Sequence, residues 1–388
     1  MAGLMLDWLA ASNPQPQKNL TWPEDLSKKQ QHAADVLKTW PAPGRKLEFW
    51  RYSDASRLKK DPLKPQTSPV DAAHTADHQV VVAVSDEGVS VPDNLPDWLT
   101  VEPIQASEQP RWSPLDQTPE LVVQAANQAL FSQGVAIKVS AQAPAEARIL
   151  LRYAVKEPSR WTYVRNLVQL AAGAEVVVDE LLVSGRINVN NFYQIGEKAH
   201  LKRHQQVILD DQQQHISLQH FTLAGEARVT TQQRHQGGDL QHHVHWVDFS
   251  GEQAEYQSGS INKAAGQSHI SDIVVVNHAR KNNRSEVTHR SLADDSASVF
   301  NNAKAIVAKG ADGSEIEQDL KNILLSNDAK IASKPELEVY ADEVVAAHGS
   351  TIGTLDEEAV FYLQSRGIPL DLAREMMMVS FEQEALVC

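Results

Sequence analysis

The side chain in this sequence best placed for chemistry is His348, which opens the segment His348–Gly353 and follows Ala346 and Ala347. Neutral imidazole is a common ligand of transition metals, and small neighbours let a partner's backbone approach the ring closely. The residues alone leave two interpretations open. His348 either presents a ring nitrogen to a metal, or it stabilises a local turn while Gly349 supplies backbone freedom.

A second group of imidazoles lies at His242, His243 and His245. On a strand, His243 and His245 share one face and His242 points to the other. Two imidazoles supply half of a zinc or iron site, but no companion thiolate is available. We therefore interpret this group as solvent-exposed strand histidines.

The single cysteine, Cys388, is the last residue of the sequence. It cannot form an intrachain disulfide, and one thiolate cannot hold a metal cluster in the usual four-cysteine manner. We interpret Cys388 as a terminal residue without a role. Such cysteine usage suits a reducing compartment, so we expect a cytoplasmic protein.

Motifs of common enzyme classes are missing from the sequence, including the phosphate-binding G-x-x-x-x-G-K-[ST] loop, the nucleophile elbow and H-E-x-x-H. Asp272, His278 and Ser285 have the residue types of a hydrolase triad, but a triad depends on geometry that sequence order cannot supply. We interpret them as turn and strand positions and predict that the chain is not an enzyme.

Amino-acid composition and net charge limit the classes of partner that we expect. The chain has 388 residues and a hydrophobic fraction of 42%, which suits a globular protein with a sizeable core. Its net charge of −14 repels phosphate backbones, so we expect no nucleic-acid partner. No apolar run reaches the length of a membrane span, and residues 1–8 lack the basic and apolar regions of a signal peptide, so we expect no membrane partner either.

Three regions differ in hydrophobic pattern. Residues 1–134 look like an N-terminal helical region followed by a polar, proline-bearing link with short edge strands. Residues 135–345 contain short segments rich in Val, Ile and Leu, bounded by Gly, Asn and Asp, without long helical periodicity. Residues 346–388 return to a helical pattern, in which Asp356 caps a first helix and Gly367 ends it.

Two segments outside the strand region carry more specific expectations. A second C-terminal helix is predicted from about Leu370 to Ala385, with Glu382 on the side that meets water. Near the N-terminal end, Trp50 and Tyr52 are expected to pack on the core while the charged residues around them stay in solvent.

The strand region fits three architectures: a sandwich, an antiparallel barrel and a solenoid of short strands. Its glycines are too unevenly spaced to prove a repeat. The pattern itself therefore leaves all three open.

Three linked blocks near the C-terminal end carry a family resemblance: Leu337–Val344, His348–Gly353 and Phe361–Gly367. They resemble the patterns P-x-L-E-I-x-A-D-D-V, H-G-A-T-x-G and F-Y-L-x-S-R-G-I of the SufB/SufD family of iron–sulfur cluster assembly proteins. Arg45–Ser53 resembles the family block P-x-R-K-x-E-x-W-K-Y-T, and Gln318–Ser326 is similar to Q-x-x-x-N-L-L-L-S. The chain is most similar to the SufD branch, because it is short and lacks an internal cysteine.

The resemblance implies a mainly β protein, with a right-handed parallel β-helix core over residues 135–345 and helical regions at both ends. The exposed strand edge of such a core, near Gln318–Val344, would pair with SufB. The C-terminal helices would dock one copy of the ATPase SufC. The side chains expected to make that contact are Tyr362, Arg366, Ile368, Met376, Met377 and Phe381.

The function implied by the resemblance is that of a non-catalytic scaffold subunit of the SufBCD complex. His348 would be a metal ligand at the SufB interface, where a transient iron–sulfur cluster is assembled on SufB thiols. The chain alone would hold no cofactor stably, and isolated chains could pair as a homodimer. Family members often carry a cysteine where this chain has Ala346, so one thiolate is missing from this interface.

Two further classes of function stay open on the residues alone. One is a β-solenoid enzyme acting on polysaccharide, which would need a carboxylate-lined groove and export from the cell. The other is a self-paired structural protein without metal chemistry. Co-purification with a P-loop ATPase would separate the scaffold function from both.

Overall fold

The computed structural model describes residues 24–59, 80–104, 117–131, 133–155 and 161–386. Its helices are α1 (Glu24–Thr39), α2 (Val122–Leu130), α3 (Glu357–Ser365) and α4 (Leu370–Gln383), and short 3₁₀ turns lie at Glu48–Trp50, Ala55–Lys59 and Pro119–Leu121. Its strands are β1 (Val80–Ser85), β2 (Gly88–Ser90), β3 (Leu99–Pro103), β4 (Val135–Val139), β5 (Arg148–Ala154), β6 (Trp161–Leu170), β7 (Glu175–Ser184), β8 (Arg186–Ile195), β9 (His200–Leu209), β10 (Gln214–Leu223), β11 (Arg228–Gly237), β12 (Leu240–Phe249), β13 (Glu255–Ala264), β14 (His269–His278), β15 (Arg284–Ala293), β16 (Ser298–Val307), β17 (Ser314–Leu324), β18 (Lys330–Val339) and β19 (Val344–Gly353).

The strands form a flattened parallel β-helix with two strands in each turn. Odd-numbered strands from β5 to β19 lie side by side in one sheet, and even-numbered strands from β4 to β18 form the opposite sheet. From β6 onward each strand therefore pairs in parallel with the strand two positions earlier, as Gln214 of β10 does with Arg186 of β8. The predicted parallel β-helix core with helices near both ends is confirmed, and the sandwich and the barrel are excluded.

Turns between the sheets explain why no glycine repeat is visible. From β6 to β16, each turn that follows an even-numbered strand has a residue in the left-handed conformation, where glycine is favoured. Gly173 fills this position after β6 with a φ of 71°. In the next turns it is filled by Lys198, Glu226, Gln253 and Asn282, with φ between 56° and 59°.

The space between the two sheets, which we call the lumen, holds both apolar and polar side chains. In the first turns apolar residues such as Val178 and Ile187 are fully buried there. The same turns hold a buried ion pair in which Arg203 Nε donates to Glu180 Oε1 at 2.7 Å. His235 Nδ1 then lies 2.9 Å from Asn262 Oδ1. The core of this protein is therefore in part a hydrogen-bonded column.

The N-terminal region covers the outer face of the even-numbered sheet. Trp50 is fully buried and stacks on His242 with ring centroids 4.1 Å apart. Ser53 Oγ lies 2.8 Å from Ser271 Oγ of β14. The expected packing of Trp50 is thus correct, whereas Tyr52 is 51% exposed and only its edge approaches Phe300.

Two expectations about the end of the strand region differ from the structure. The turn predicted around His348 is wrong, because residues 344–353 form β19, whose backbone pairs with β17 instead of turning. The boundary expected at residue 345 therefore falls inside the last strand. Within the described residues, no helix combines the length and apolar character needed to cross a bilayer.

Candidate functional site

The β-helix ends in two unpaired strand edges, which we call the terminal edge. In the described part of the chain, β18 pairs only with β16, and β19 pairs only with β17. Large apolar side chains stay in solvent here: Tyr340 is 64% exposed and Val345 is 71% exposed. Unpaired backbone groups beside exposed apolar side chains form a surface that can accept further strands.

His348 lies in the middle of this edge and faces the lumen. It pairs in register with Gln318 of β17, whose even-numbered residues are buried while Glu315 and Glu317 are exposed. Ser350, two residues further along the same face, has its Oγ 2.8 Å from Ser333 Oγ of β18 in the opposite sheet. His348 is therefore the imidazole at the open mouth of the lumen, accessible to a partner.

Apolar residues surround this mouth. Leu337 of β18 and Val344 of β19 pack from opposite sheets against a small cluster that includes Val307 and Ile316. Leu337 stays only half-buried, since no further turn covers it among the described residues. The end of the lumen is thus an apolar surface with one imidazole near its centre.

Helices α3 and α4 form a second exposed surface, which we call the helical pair. Asp356 caps α3 as expected, because its Oδ1 accepts from the backbone N–H groups of Glu358 and Ala359. Gly367, with a φ of 88°, ends that helix, and Val360 and Ala373 are buried in the pair. Much of the remaining surface of the pair faces solvent.

The six side chains predicted to contact a partner divide into two groups. Tyr362 is 57% exposed and Met376 is 45% exposed, and Arg366 lies over the Tyr362 ring with 5.2 Å from Cζ to the centroid. Ile368, Met377 and Phe381 are half-buried. Phe381 turns toward the β-helix, where Arg290 Cζ lies 5.8 Å from its ring centroid.

The end of α4 is anchored to the β-helix by two carboxylates. Glu382, expected in water, is only 4% exposed, and its carboxylate accepts from Arg234 Nη2 at 2.6 Å. Glu384 Oε2 accepts from Arg290 Nε at 3.1 Å and from Lys321 Nζ at 3.0 Å. The expectation for Glu382 was wrong because helical periodicity shows the faces of a helix but not which basic strand residues lie beneath it.

Close backbone contact supports the same anchor. A Cβ atom added to Gly259 of β13 would lie 1.9 Å from the main-chain oxygen of Ala385. Only glycine lets the chain after α4 approach the sheet this closely. Sequence could have suggested the contact through a glycine inside a strand, which often marks a close backbone approach.

The three neighbouring histidines of β12 are buried, so the prediction that they are solvent-exposed was wrong. His242, His243 and His245 are each 0% exposed. His243 Nδ1 lies 2.9 Å from Ser217 Oγ, and His242 lies under Trp50. In the described chain, no three His, Cys, Asp or Glu side chains are arranged to hold a metal ion.

The remaining candidates do not form a catalytic group. His278 Nε2 lies 2.8 Å from Ser285 Oγ, but Asp272 binds elsewhere, to Ser260 and to Asn262 Nδ2 at 3.1 Å. All are strand positions inside the lumen, as expected. Cys388 lies outside the described residues.

Comparison with known proteins matches most of the strand region to one family. The family model described as SUF system FeS cluster assembly, SufBD core domain, matches residues 153–381, which is more than half of the chain. The matched range includes both the terminal edge and the helical pair.

Individual relatives agree with the family model. The iron–sulfur cluster assembly protein SufD of Escherichia coli is 26% identical over 255 residues, which cover 63% of this chain and 59% of that protein. A SufBD family protein of Synechocystis is 37% identical over 98 residues, covering 25% of this chain and 22% of that protein. Protein ABCI7 of Arabidopsis thaliana chloroplasts is 31% identical over 114 residues, covering 29% of this chain and 24% of that protein.

Proposed function

This chain belongs to the SufB/SufD family of iron–sulfur cluster assembly proteins, and we propose that it is a non-catalytic scaffold subunit of a Suf assembly complex. The observation that carries the proposal is the terminal edge, with its free parallel strands and one accessible imidazole. The surface is shaped to continue a β-helix into a second protein rather than to enclose a small substrate.

The partner proposed for the terminal edge is SufB. Pairing there would satisfy the free backbone groups of β18 and β19 and cover exposed side chains such as Val345. His348 would then lie inside the interface, beside whatever thiolates the partner supplies. Imidazole can take a thiolate's place at a cluster iron, so the role proposed for His348 is to bind the cluster transiently as cargo.

The helical pair is the proposed docking site for the ATPase SufC. Its exposed face combines Tyr362, Met376 and the fixed fork of Arg366. A methionine side chain adapts its shape, which suits a partner that changes conformation during an ATP cycle. The anchored end of α4 would transmit that movement to the strands beneath it.

The chain would work in the cytoplasm and hold no resident cofactor. A tagged copy purified from its own cells tests the assembly directly, since SufB and a P-loop ATPase should co-purify with it. A homodimer without other proteins would instead support the self-paired structural protein.

Replacing His348 tests the proposed chemistry. We expect His348→Ala to keep the fold and both partners but to lose most of the cluster formed in the reconstituted complex, because an iron ligand is missing. The cluster yield is read from its visible absorption and from bound iron. His204→Ala, at an exposed strand histidine of β9 away from the terminal edge, is the matched control and should leave the yield unchanged. Equal yields from both variants would remove His348 from the proposal.

A further inference from the structure

Gln318 is a buried amide that uses only half of its hydrogen-bonding capacity. It is 3% exposed, and its Nε2 donates to the main-chain oxygen of Glu336 at 3.2 Å. Its Oε1 is buried and accepts no hydrogen bond from the described residues in this structure. Buried carbonyl oxygens are nearly always satisfied, and an orphaned one destabilises a protein.

The residue that pairs with Gln318 on the next strand is His348. The two are Cα partners in the β17–β19 ladder, and both point to the lumen face. Neighbouring strands lie about 4.8 Å apart, so in-register side chains on one face are within hydrogen-bonding reach of each other. An imidazole N–H is therefore the donor nearest in register to Gln318 Oε1.

We propose that Gln318 is a positioning residue: rotation of the exposed His348 side chain lets Gln318 Oε1 accept a hydrogen bond from one ring N–H. Because Gln318 Nε2 is already used on Glu336, its carboxamide presents the oxygen to the ring, and the ring responds as a donor. That bond fixes the tautomer and turns the second nitrogen, with its lone pair, outward to the terminal edge. Partners of this kind orient imidazole ligands in metal sites, and their loss weakens metal affinity by about 10–100-fold.

This inference rests on the proposed role of His348 but makes a claim that needs no partner and no cluster. If Gln318 holds the ring, His348 is predominantly one tautomer in the isolated chain. If it does not, His348 resembles an exposed histidine such as His32, whose tautomers interconvert freely in water.

Nitrogen-15 NMR of histidine-labelled chain at about pH 8, where imidazole is neutral, measures the tautomer ratio. The His348→Ala spectrum assigns the resonance, and His32 provides the reference. We expect one dominant tautomer for His348 in the native chain, a mixture like that of His32 in Gln318→Met, and a dominant tautomer again in Gln318→Glu, which keeps an acceptor. If His348 in the native chain shows the same tautomer ratio as His32, the inference is overturned. This measurement uses only the native chain, so it does not depend on whether a Gln318 variant folds.

The reconstituted complex separates this inference from the proposed function. Gln318→Met should lower the cluster yield about 10-fold or more while both partners stay bound. A dominant tautomer together with a full cluster yield from His348→Ala would refute the proposed function alone. Loss of cluster in His348→Ala with a mixed native tautomer would refute the role of Gln318 alone.

Discussion

At the scale of single residues, the interior of this β-helix depends on histidines that stay uncharged. Burial lowers the pKa of His215 and His242 from 6.5 to about 3, and that of His269 to about 4. Between pH 6.5 and these values the unfolded chain binds protons that the folded chain does not. Stability therefore falls as the pH drops through this window.

His242 offers the clearest test of this pH dependence, because both its ring nitrogens are buried without hydrogen-bond partners. We expect His242→Phe to keep the stack on Trp50 and to remove one proton-binding group of the unfolded state. The free energy of unfolding lost between about pH 7.5 and pH 5 should shrink by about 2 kcal/mol. Denaturant unfolding at both pH values measures this loss. The control His32→Phe, at an exposed helical position, should leave the loss as it is in the native chain. An unchanged pH dependence in His242→Phe would mean that the folded protein protonates this ring.

The residue scale also shows where sequence reasoning was limited. The structure places His348 on an exposed strand edge, and its role as a metal ligand, suggested by its small neighbours and family block, stays a prediction. Gln318, His243 and His245 could not be assigned, because burial in the lumen depends on which strand lies opposite, and His242 is buried on the outer face by Trp50. A polar strand residue has the same local pattern whether it faces water or a hydrogen-bonded interior.

At the scale of elements, the helical pair is fixed at one end and free at the other. Glu382 and Glu384 bind basic residues on four strands, whereas Tyr362 and Met376 face solvent. The exposed surface of the helical pair that is available to the proposed partner SufC therefore lies near the loop between α3 and α4. The half-buried Met377 is a poorer probe than Met376, because a charge there would also disturb the packing of α4.

A double substitution tests the docking role of this face. Arg366→Glu combined with Met376→Glu should weaken SufC binding by about 30-fold or more, because it removes an exposed anchor and places two carboxylates on the contact surface. Calorimetric titration with purified SufC measures the affinity, and SufB pairing serves as the folding control. Asp211→Lys, on an exposed turn far along the β-helix, should bind normally. Unchanged affinity of the double variant would place the docking surface elsewhere.

The elements themselves were partly predictable. Short strands, the α3 cap at Asp356 and the end of that helix at Gly367 follow from local chemistry. The solenoid could not be predicted from sequence periodicity. Lys198 and Asn282 occupy left-handed turn positions where glycine would be expected, so no regular glycine repeat is visible. Family resemblance supplied what the local pattern could not.

At the scale of the whole molecule, pairing through the terminal edge depends on backbone groups that point away from the β-helix. Lys330 N donates inward to Ala297 O at 3.0 Å, and Tyr340 N donates inward to Val307 O at 2.9 Å. Since alternate residues of a parallel strand bond opposite neighbours, the N–H of Val339 points outward. It is a free donor for a partner strand.

Val339→Pro should therefore weaken pairing with SufB by about tenfold, through one lost hydrogen bond and steric conflict with the added strand. The fold should tolerate the change, since Pro335 already occupies an outward-pointing position of β18. Glu338→Pro is the contrasting variant, because its N–H points inward and its loss should lower stability itself by about 1–3 kcal/mol. Analytical ultracentrifugation and thermal unfolding separate the two effects. Full-strength pairing by folded Val339→Pro would argue against this edge.

The opposite end of the β-helix decides how far such pairing can extend. There β2 has three residues and β3 has five, and each runs antiparallel to its neighbour, whereas β18 and β19 have ten residues each. Among the described strands, long parallel edges thus occur at one end only. Once two such ends meet, neither molecule has a matching edge left, so growth stops at a pair instead of continuing as a fibril. The short antiparallel strands β2 and β3 therefore prevent the pair from growing into a longer polymer.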